Sequence, residues 1–323
     1  MSQLNANISH SSNLKPFLDY FKRHNIEWKV TAEKHDIPLN IATRSVWLPS
    51  LNVMAFLMSM MRQSNRNIGL EVGQLISLAQ ISPELDRAIH KCHNIEEAVH
   101  TLMDLMPSLN SHISIWAEQI DGDWYLCHRG AYRPSTPGYE QAEWFRTFAL
   151  LSVCRHFLGE SWQPEQVLMT ISPHIGKPHE SSLEHSQIRF AHSFGGIQIP
   201  VSADFLPIEG INHDIDWTNH MARLCHTYCV LPWFNIRWLA KLLGMSERTL
   251  HRRFVEHGTT FRLLRDNARR DIATSLLANE HLLPEAVAWH CGYSDLSNFN
   301  RAFKVWQGCT PSQYRKKAMQ QQT

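Results

Sequence analysis

The sequence predicts an α+β domain followed by an all-α domain in which one helical unit occurs twice. Three observations carry that reading. The chain of 323 residues exceeds the usual size of a single domain and is long enough for two parts that each bury a core. Hydrophobic periods of the strand and the helix type both occur before Pro232, whereas only the helical period occurs after it. Charge divides at the same point: residues 233–318 carry 14 Lys and Arg against 7 Asp and Glu, net +7, while the rest carries 17 against 23, net −6. A basic third on an acidic body points to different partners for the two parts, one of them polyanionic.

Between Asn13 and Arg62, LKPFLDYFKRH and LNVMAFLMSMMRQ space their apolar residues three and four apart and predict helices. A glycine-containing segment, with Gly69 and Gly73, precedes ISPELDRAIHKCHNIEEAVHTLMDLM, a helix or helix pair whose start signals are Ser82-Pro83 and Asn94. The period then changes. SHISIWAEQI and WYLCHRGAY alternate apolar and polar residues around Asp121-Gly122, a turn pair that joins two strands as a hairpin. GYEQAEWFRTFALLSVCRHFLG follows as a long amphipathic helix, and QVLMTIS, QIRFAH and GGIQIPV are short strands separated by Pro and Gly. Helices packed on a small, mostly antiparallel sheet are expected.

From Asp214 to Val230, Trp217, Met221, Leu224 and Tyr228 form an apolar stripe on one helix face. Such a stripe needs a partner. It is expected either to pack against the N-terminal domain or, as a short dimer-forming helix, to meet a second copy. Pro232 ends the helix, which divides the chain into an N-terminal domain (1–213), a linker helix (214–232), a basic helical domain (233–318) and a polar tail (319–323).

The basic domain reads as FNIRWLAKLL, a turn at Gly244-Met245, SERTLHRRF with Ser246 as N-cap, and a long FRLLRDNARRDIATSLLAN. PEAVAWHC, a turn at Gly292-Tyr293 and DLSNFNRAFKVW complete it. Leu250, Arg252 and Phe254 recur as Phe299, Arg301 and Phe303 at an offset of 49, and Ala240 recurs as Ala288 at 48, so the second turn holds one extra residue. Each unit is a helix, a tight turn and a second helix, with a small residue where the helices cross, which is the steric recipe of a helix-turn-helix. Leu250, Phe254, Phe299 and Phe303 face inward. Arg248, Thr249, His251 and Arg252 in one unit, and Ser297, Asn300, Arg301 and Lys304 in the other, are the candidate DNA contacts. Their chemistry suits base edges, because Arg pairs with guanine O6 and N7 and Asn with adenine N6 and N7.

Residues 233–318 resemble the DNA-binding domain of AraC/XylS-type transcription regulators. RAFKVWQGCTPSQYR carries the resemblance in Phe303, Lys304, Gly308, Thr310, Pro311, Tyr314 and Arg315. The first unit agrees through Leu239-Ala240, Gly244-Met245-Ser246, Leu250 and Arg252-Arg253-Phe254, and the joining helix through Arg269, Ala273 and Leu276-Leu277. The chain departs from the pattern at His290-Cys291, at Gln307 where a basic residue is common, and at Cys309 where an aliphatic is common. The resemblance implies two recognition helices in successive major grooves, held apart by the long helix. Residues 14–210 resemble, more loosely, the arabinose-binding-type effector domain of the ToxT-like and OruR-like branch. IGLEVGQLISLAQISPELDRAIHKCHNIEEAVHTL, the hairpin and HSQIRFAHSFGGIQIP before ADFLPIEG carry that likeness.

Other chemistry is weakly represented. Of 20 His, 16 precede Pro232, and His90-Lys91-Cys92-His93 is the densest cluster, but no second ligand pair stands nearby, so no metal is expected. Cys225 and Cys229 share a helix face and read as core filler rather than a redox sensor. Seven Cys without a C-x-x-C read as reduced thiols, and no nucleophile elbow, phosphate loop, dinucleotide fingerprint or H-E-x-x-H occurs, so neither catalysis nor a cofactor is expected. The polar start MSQLNANISHSSN and the absence of a long apolar run point to the cytoplasm, without a membrane partner. The expected fold is thus an α+β effector domain plus an all-α domain of two helix-turn-helix units joined by a long helix. The expected partners are promoter DNA in the major groove, a small-molecule effector, RNA polymerase if the chain is an activator, the more usual family role, and a second copy as a homodimer. The alternatives are an N-terminal domain that binds no ligand and only dimerises or meets a protein partner, and, less favoured, a metal- or haem-binding enzyme fused to a DNA module. An apolar effector pocket is expected between the sheet of 111–131 and the helix of 138–158, in a domain rich in aromatic and Met residues such as Trp116, Trp124, Trp144 and Met103.

Overall fold

A computed structural model describes residues 7–42, 44–202, 204–206, 217–279 and 282–321, and divides the chain into two compact units, 7–214 and 215–323. The first unit opens with β1 (Ile8–His10), α1 (Lys15–Arg23), α2 (Lys29–Lys34), β2 (Trp47–Pro49) and α3 (Ser50–Ser64). Next come α4 (Ile68–Gln74), α5 (Leu78–Ile81), α6 (Pro83–Ile89) and α7 (Ile95–Leu105). Strands β3 (Ile113–Ile120) and β4 (Asp123–Gly130) then precede α8 (Tyr139–Leu158), β5 (Gln166–Leu168), α9 (Pro173–Gly176), β6 (Gln187–Arg189) and β7 (Gly195–Gln198).

The larger sheet runs β3-β4-β7-β5-β6 and is antiparallel except where β5 meets β6, while β1 and β2 pair separately. In the hairpin Ile120 stands opposite Asp123, so Asp121 (φ +54°) and Gly122 (φ +97°) are the two central residues of a turn whose positive φ values match the strand twist. Ser82 and Asn94 act as the start signals they resemble: Ser82 Oγ accepts the Leu85 N–H at 3.3 Å and Asn94 Oδ1 the Glu97 N–H at 2.9 Å.

The glycine-containing segment is helical: Gly69 and Gly73 lie inside α4, where they let it press against α8, since a Cβ at Gly69 would fall 2.1 Å from the Gln141 carbonyl oxygen, and one at Gly73 3.0 Å from Phe148 Cβ. Helix α8 differs from expectation in being enclosed rather than amphipathic. Trp144, Phe148 and Leu151 are buried, and so are Gln141, Glu143 and Thr147. Its polar groups are accordingly bonded: Gln141 Oε1 accepts the Gly69 N–H at 2.8 Å, and Glu143 accepts the N–H groups of Thr170 and Ile171 at 2.6 and 3.1 Å. Burial pushes the Glu143 carboxyl up despite those donors.

Between β3, β4 and α8 lies a cavity of about 50 Å³, walled by apolar side chains such as Ile113, Ile115, Leu150 and Val153. Trp116, Trp124, Trp144 and Met103 do not line it; Trp116 packs on Phe194 and Trp124 on Phe205 instead.

The second unit is helical throughout its described residues: α10 (Trp217–Tyr228), α11 (Ile236–Leu242), α12 (Glu247–Glu256), α13 (Phe261–Ala278), α14 (Pro284–His290), α15 (Leu296–Gln307) and α16 (Pro311–Gln321). Here the reading of 214–232 as a linker and of its stripe as a docking or dimer seam is corrected. Trp217, Met221, Leu224 and Tyr228 are buried within the second unit, where α10 packs on α13. The Trp217 ring meets Phe254 at 5.1 Å and His257 at 4.7 Å, and Tyr228 meets Trp238 at 5.0 Å. Periodicity identifies an apolar face but not what covers it, and here the cover is the adjoining helical domain.

Candidate nucleic-acid interface

The two helix-turn-helix units are built on the same hydrogen bonds. In the first, Gly244 N–H donates to Lys241 O at 3.1 Å and Met245 N–H to Ala240 O at 2.8 Å; in the second, Gly292 N–H donates to Trp289 O and Tyr293 N–H to Ala288 O, both at 3.0 Å. Both glycines hold positive φ, +63° and +72°. The next helix is then capped by a side-chain oxygen, with Ser246 Oγ accepting the Thr249 N–H at 3.1 Å and Asp295 Oδ1 accepting the Asn298 N–H at 2.7 Å. The offset is 48 up to Tyr293 and 49 from Asp295 onward, which makes Ser294 the extra residue of the second turn.

With cap and turn fixed, helical spacing decides which side chains face in. Leu250 and Phe254 of α12, and Phe299 and Phe303 of α15, are fully buried. The candidate contacts lie on the other faces. Arg248, His251 and Arg252 are exposed on α12, and Ser297, Arg301 and Lys304 on α15, whereas Thr249 and Asn300 are half-buried. Thr249 is engaged locally, its Oγ1 lying 2.8 Å from Ser246 Oγ. Arg252 Nε meets Glu256 Oε1 at 3.3 Å with both side chains largely exposed, a pair weak enough for a phosphate or a base to displace. Arg301 is oriented differently: its Nη2 donates to Asn298 Oδ1, and Asn298 Nδ2 in turn donates to Asp295. Arg248 and Lys304 form no ion pair among the described residues.

Between the units, α13 is 18 residues, about 27 Å, long. It fixes the second unit through Arg269, which is buried: its Nε donates to Cys229 O at 3.1 Å, its Nη2 to Gly292 O at 3.4 Å, and its guanidinium lies 4.7 Å over the Tyr293 ring. The sequence marks Arg269 through resemblance, but its role as a tie between α10, α13 and the second turn emerges from these contacts.

Residues 239–317 match the family model described as a helix-turn-helix domain. Over 72 residues the chain is 46% identical to an uncharacterized HTH-type transcriptional regulator of Mycobacterium bovis, covering 22% of this chain and 21% of that one. Residues 239–317 thus form a helix-turn-helix domain. The chain is also 37% identical over 76 residues to the HTH-type transcriptional regulator VqsM of Pseudomonas aeruginosa, covering 24% of this chain and 23% of that one. The chain thus spans about a fifth of the length of these curated relatives. The crystal structure of the transcriptional regulator CdpR from Pseudomonas aeruginosa covers 94% of this chain and 98% of its own at 20% identity, with a TM-score of 0.43.

Outside the helix-turn-helix domain, the histidine cluster makes local contacts. His90 Nδ1 lies 2.8 Å from Asp86 O with its ring against His156, and His93 Nδ1 lies 3.1 Å from Glu97 Oε2. Among the described residues no group of three or more His, Cys, Asp or Glu is placed to hold a metal ion, and no helix is long and apolar enough to cross a membrane. Cys225 and Cys229 are buried, and burial pushes the Cys225 thiol well up, away from the thiolate that redox chemistry needs.

Proposed function

We propose that this chain is a transcription regulator whose helices α12 and α15 read promoter DNA in successive major grooves, and whose N-terminal unit holds a small-molecule effector. The observation that carries the DNA-reading half is the recurrence of one scaffold, hydrogen bond for hydrogen bond, with an outward polar face on the second helix each time. A solvated surface needs no such repetition; two successive grooves do. The cavity against α8 supports the effector half. Activation through contact with RNA polymerase is the role that follows from the family resemblance.

Bound fragments selected from the organism's genomic DNA test the DNA half. A recurring motif of two half-sites about one helical turn apart is the expected result. Enrichment without a motif, with affinity that depends on salt but not on sequence, reduces the domain to a non-specific polyanion binder. Coupling is tested by titrating an effector with and without the selected operator, because a ligand that alters DNA affinity must have its own affinity altered by the same factor.

A further inference from the structure

Among the buried polar atoms of the N-terminal unit that have no hydrogen-bond partner among the described residues, those of His128 and Arg146 border the same cavity, with the Arg146 guanidinium 5.6 Å over the Tyr139 ring. His128, on β4, is 2% exposed, and neither ring nitrogen has a hydrogen-bond partner among the described residues. Arg146, facing it from α8, has its Nε and Nη2 buried and likewise without partners among the described residues. Buried polar groups are almost always bonded, so two that border one cavity from β4 and α8 ask for a missing third participant. The fold makes room for both: a Cβ at Gly195 would fall 2.3 Å from His128 Cε1, and one at Gly130 3.2 Å from Arg146 Nη1.

Both side chains line the cavity of about 50 Å³ under β3 and β4, and Arg146 also lines a neighbouring one of about 80 Å³ whose other walls include Phe17, Val53, Met54 and Leu57. Arg146 therefore stands where two apolar chambers meet. The acid closest in sequence on α8, Glu143, is committed to Thr170 and Ile171 and forms no ion pair with Arg146. The Arg146 charge is felt by Glu143, yet no ion pair of Arg146 stands among those of the described residues; beside a histidine that burial and the Arg146 charge keep neutral, the guanidinium fork can donate to two oxygens of one group.

We propose that the N-terminal unit binds a small carboxylate with an apolar body, its carboxylate held by Arg146 with His128 as a second hydrogen-bond donor, and its body lying in the two chambers. Chambers of this size suit a single ring or a short acyl chain rather than a nucleotide, and their mostly apolar walls offer too few polar groups for the hydroxyls of a sugar. The inference rests on the reading of this unit as an effector domain and adds the class of effector.

The experiment uses the full chain and two matched panels. Butanoate, hexanoate, benzoate and 3-phenylpropanoate are titrated by calorimetry and melting, beside the corresponding primary amides, which keep the shape and remove the charge. At least one acid is expected to bind saturably and raise the melting temperature, with its amide at least tenfold weaker. Arg146→Gln should lower that affinity at least tenfold while melting, without ligand, no earlier than the wild type, and His128→Leu should lower it less. Amides that bind as well as the acids, or an Arg146→Gln protein that binds the acid normally, overturn the carboxylate site and leave an apolar effector pocket standing. If neither panel binds at millimolar concentration, the effector reading of the cavity falls as well. Operator binding by the same preparations shows whether the DNA-reading half survives independently.

Discussion

The two helix-turn-helix units share a backbone plan but not a means of support. The second turn is clamped: Gly292 lies beneath the end of α10, where a Cβ would approach the Cys229 carbonyl oxygen to 2.7 Å, and Arg269 bonds both carbonyls. The first turn is open, with nothing within 4 Å of where a Gly244 Cβ would stand, and its unit is held instead by Trp217 of α10 packing on Phe254 and His257. Their exposed faces differ too. Arg252 has Glu256 one helical turn on, whereas the equivalent neighbour of Arg301 is Val305, and Arg301 is oriented from the other side by Asn298. A repeat can therefore preserve the geometry that places a helix while leaving support and reading surface free to diverge.

The largest expected effect comes from removing the support that both units share. A fragment of residues 231–323 lacks α10, and with it the cover of Phe254 and Phe234 and the Cys229 carbonyl that Arg269 bonds. It should show no cooperative melting and no operator binding, whereas residues 215–323 should do both. A stable, binding 231–323 fragment would mean that α10 is a covering of little energetic weight. Next in size, Phe254→Ala and Phe303→Ala should each cost about 3–5 kcal/mol, since both rings are buried among aromatic neighbours. Chemical denaturation of the 215–323 fragment measures this, and a loss under about 1 kcal/mol at either site would show that the core there repacks.

The clamp itself is probed by paired glycine substitutions. Gly244→Ala should cost about 1–2 kcal/mol, the penalty of a side chain at positive φ. Gly292→Ala should cost about 2–4 kcal/mol, because the same penalty is joined by overpacking against the end of α10. Equal costs would erase the distinction between an open and a clamped turn. The smallest effects belong to the reading surface. Arg252→Ala and Arg301→Ala should each weaken specific DNA binding by about 1–3 kcal/mol and leave random-sequence binding nearly unchanged. Glu256→Gln, which releases Arg252, should shift affinity by no more than about 0.5 kcal/mol. Equal loss on specific and random DNA would assign either arginine to phosphate.

Much of the DNA-reading unit was legible because its devices are local: a glycine at positive φ, a capping Ser or Asp, and inward Phe at helical spacing each act within one turn of chain. The hairpin at Asp121-Gly122 was legible for the same reason. What escaped depends on distant residues. The close approach of Gly69 to Gln141 and of Gly73 to Phe148 joins residues about 70 positions apart. The amphipathic reading of α8 failed because its Gln141, Glu143 and Thr147 are polar yet bonded inside the core. The stripe from Trp217 to Tyr228 is legible, but neither of its two expected partners, the N-terminal domain or a second copy, is what Trp217 and Tyr228 meet, which is Phe254, His257 and Trp238. His128 and Arg146 carry no local signal at all; what distinguishes them is that unbonded buried nitrogens of both border one cavity in three dimensions.

The single extra residue at Ser294 has a consequence for rebuilding this protein. Because the two chains of positions fall out of step at that residue and back into step at the capping side chain, segments cut at the glycine would graft a turn of the wrong length. Segments cut at the caps, 246–256 and 295–305, are equal in length and begin with the same backbone state, Ser246 at φ −75°, ψ 149° and Asp295 at φ −143°, ψ 148°, both extended. Cap to last turn is therefore the natural cassette, and moving it exchanges the outward face together with the inward pair, Leu250 and Phe254 for Phe299 and Phe303, so the one change of core size falls where Leu250 and Phe299 trade places.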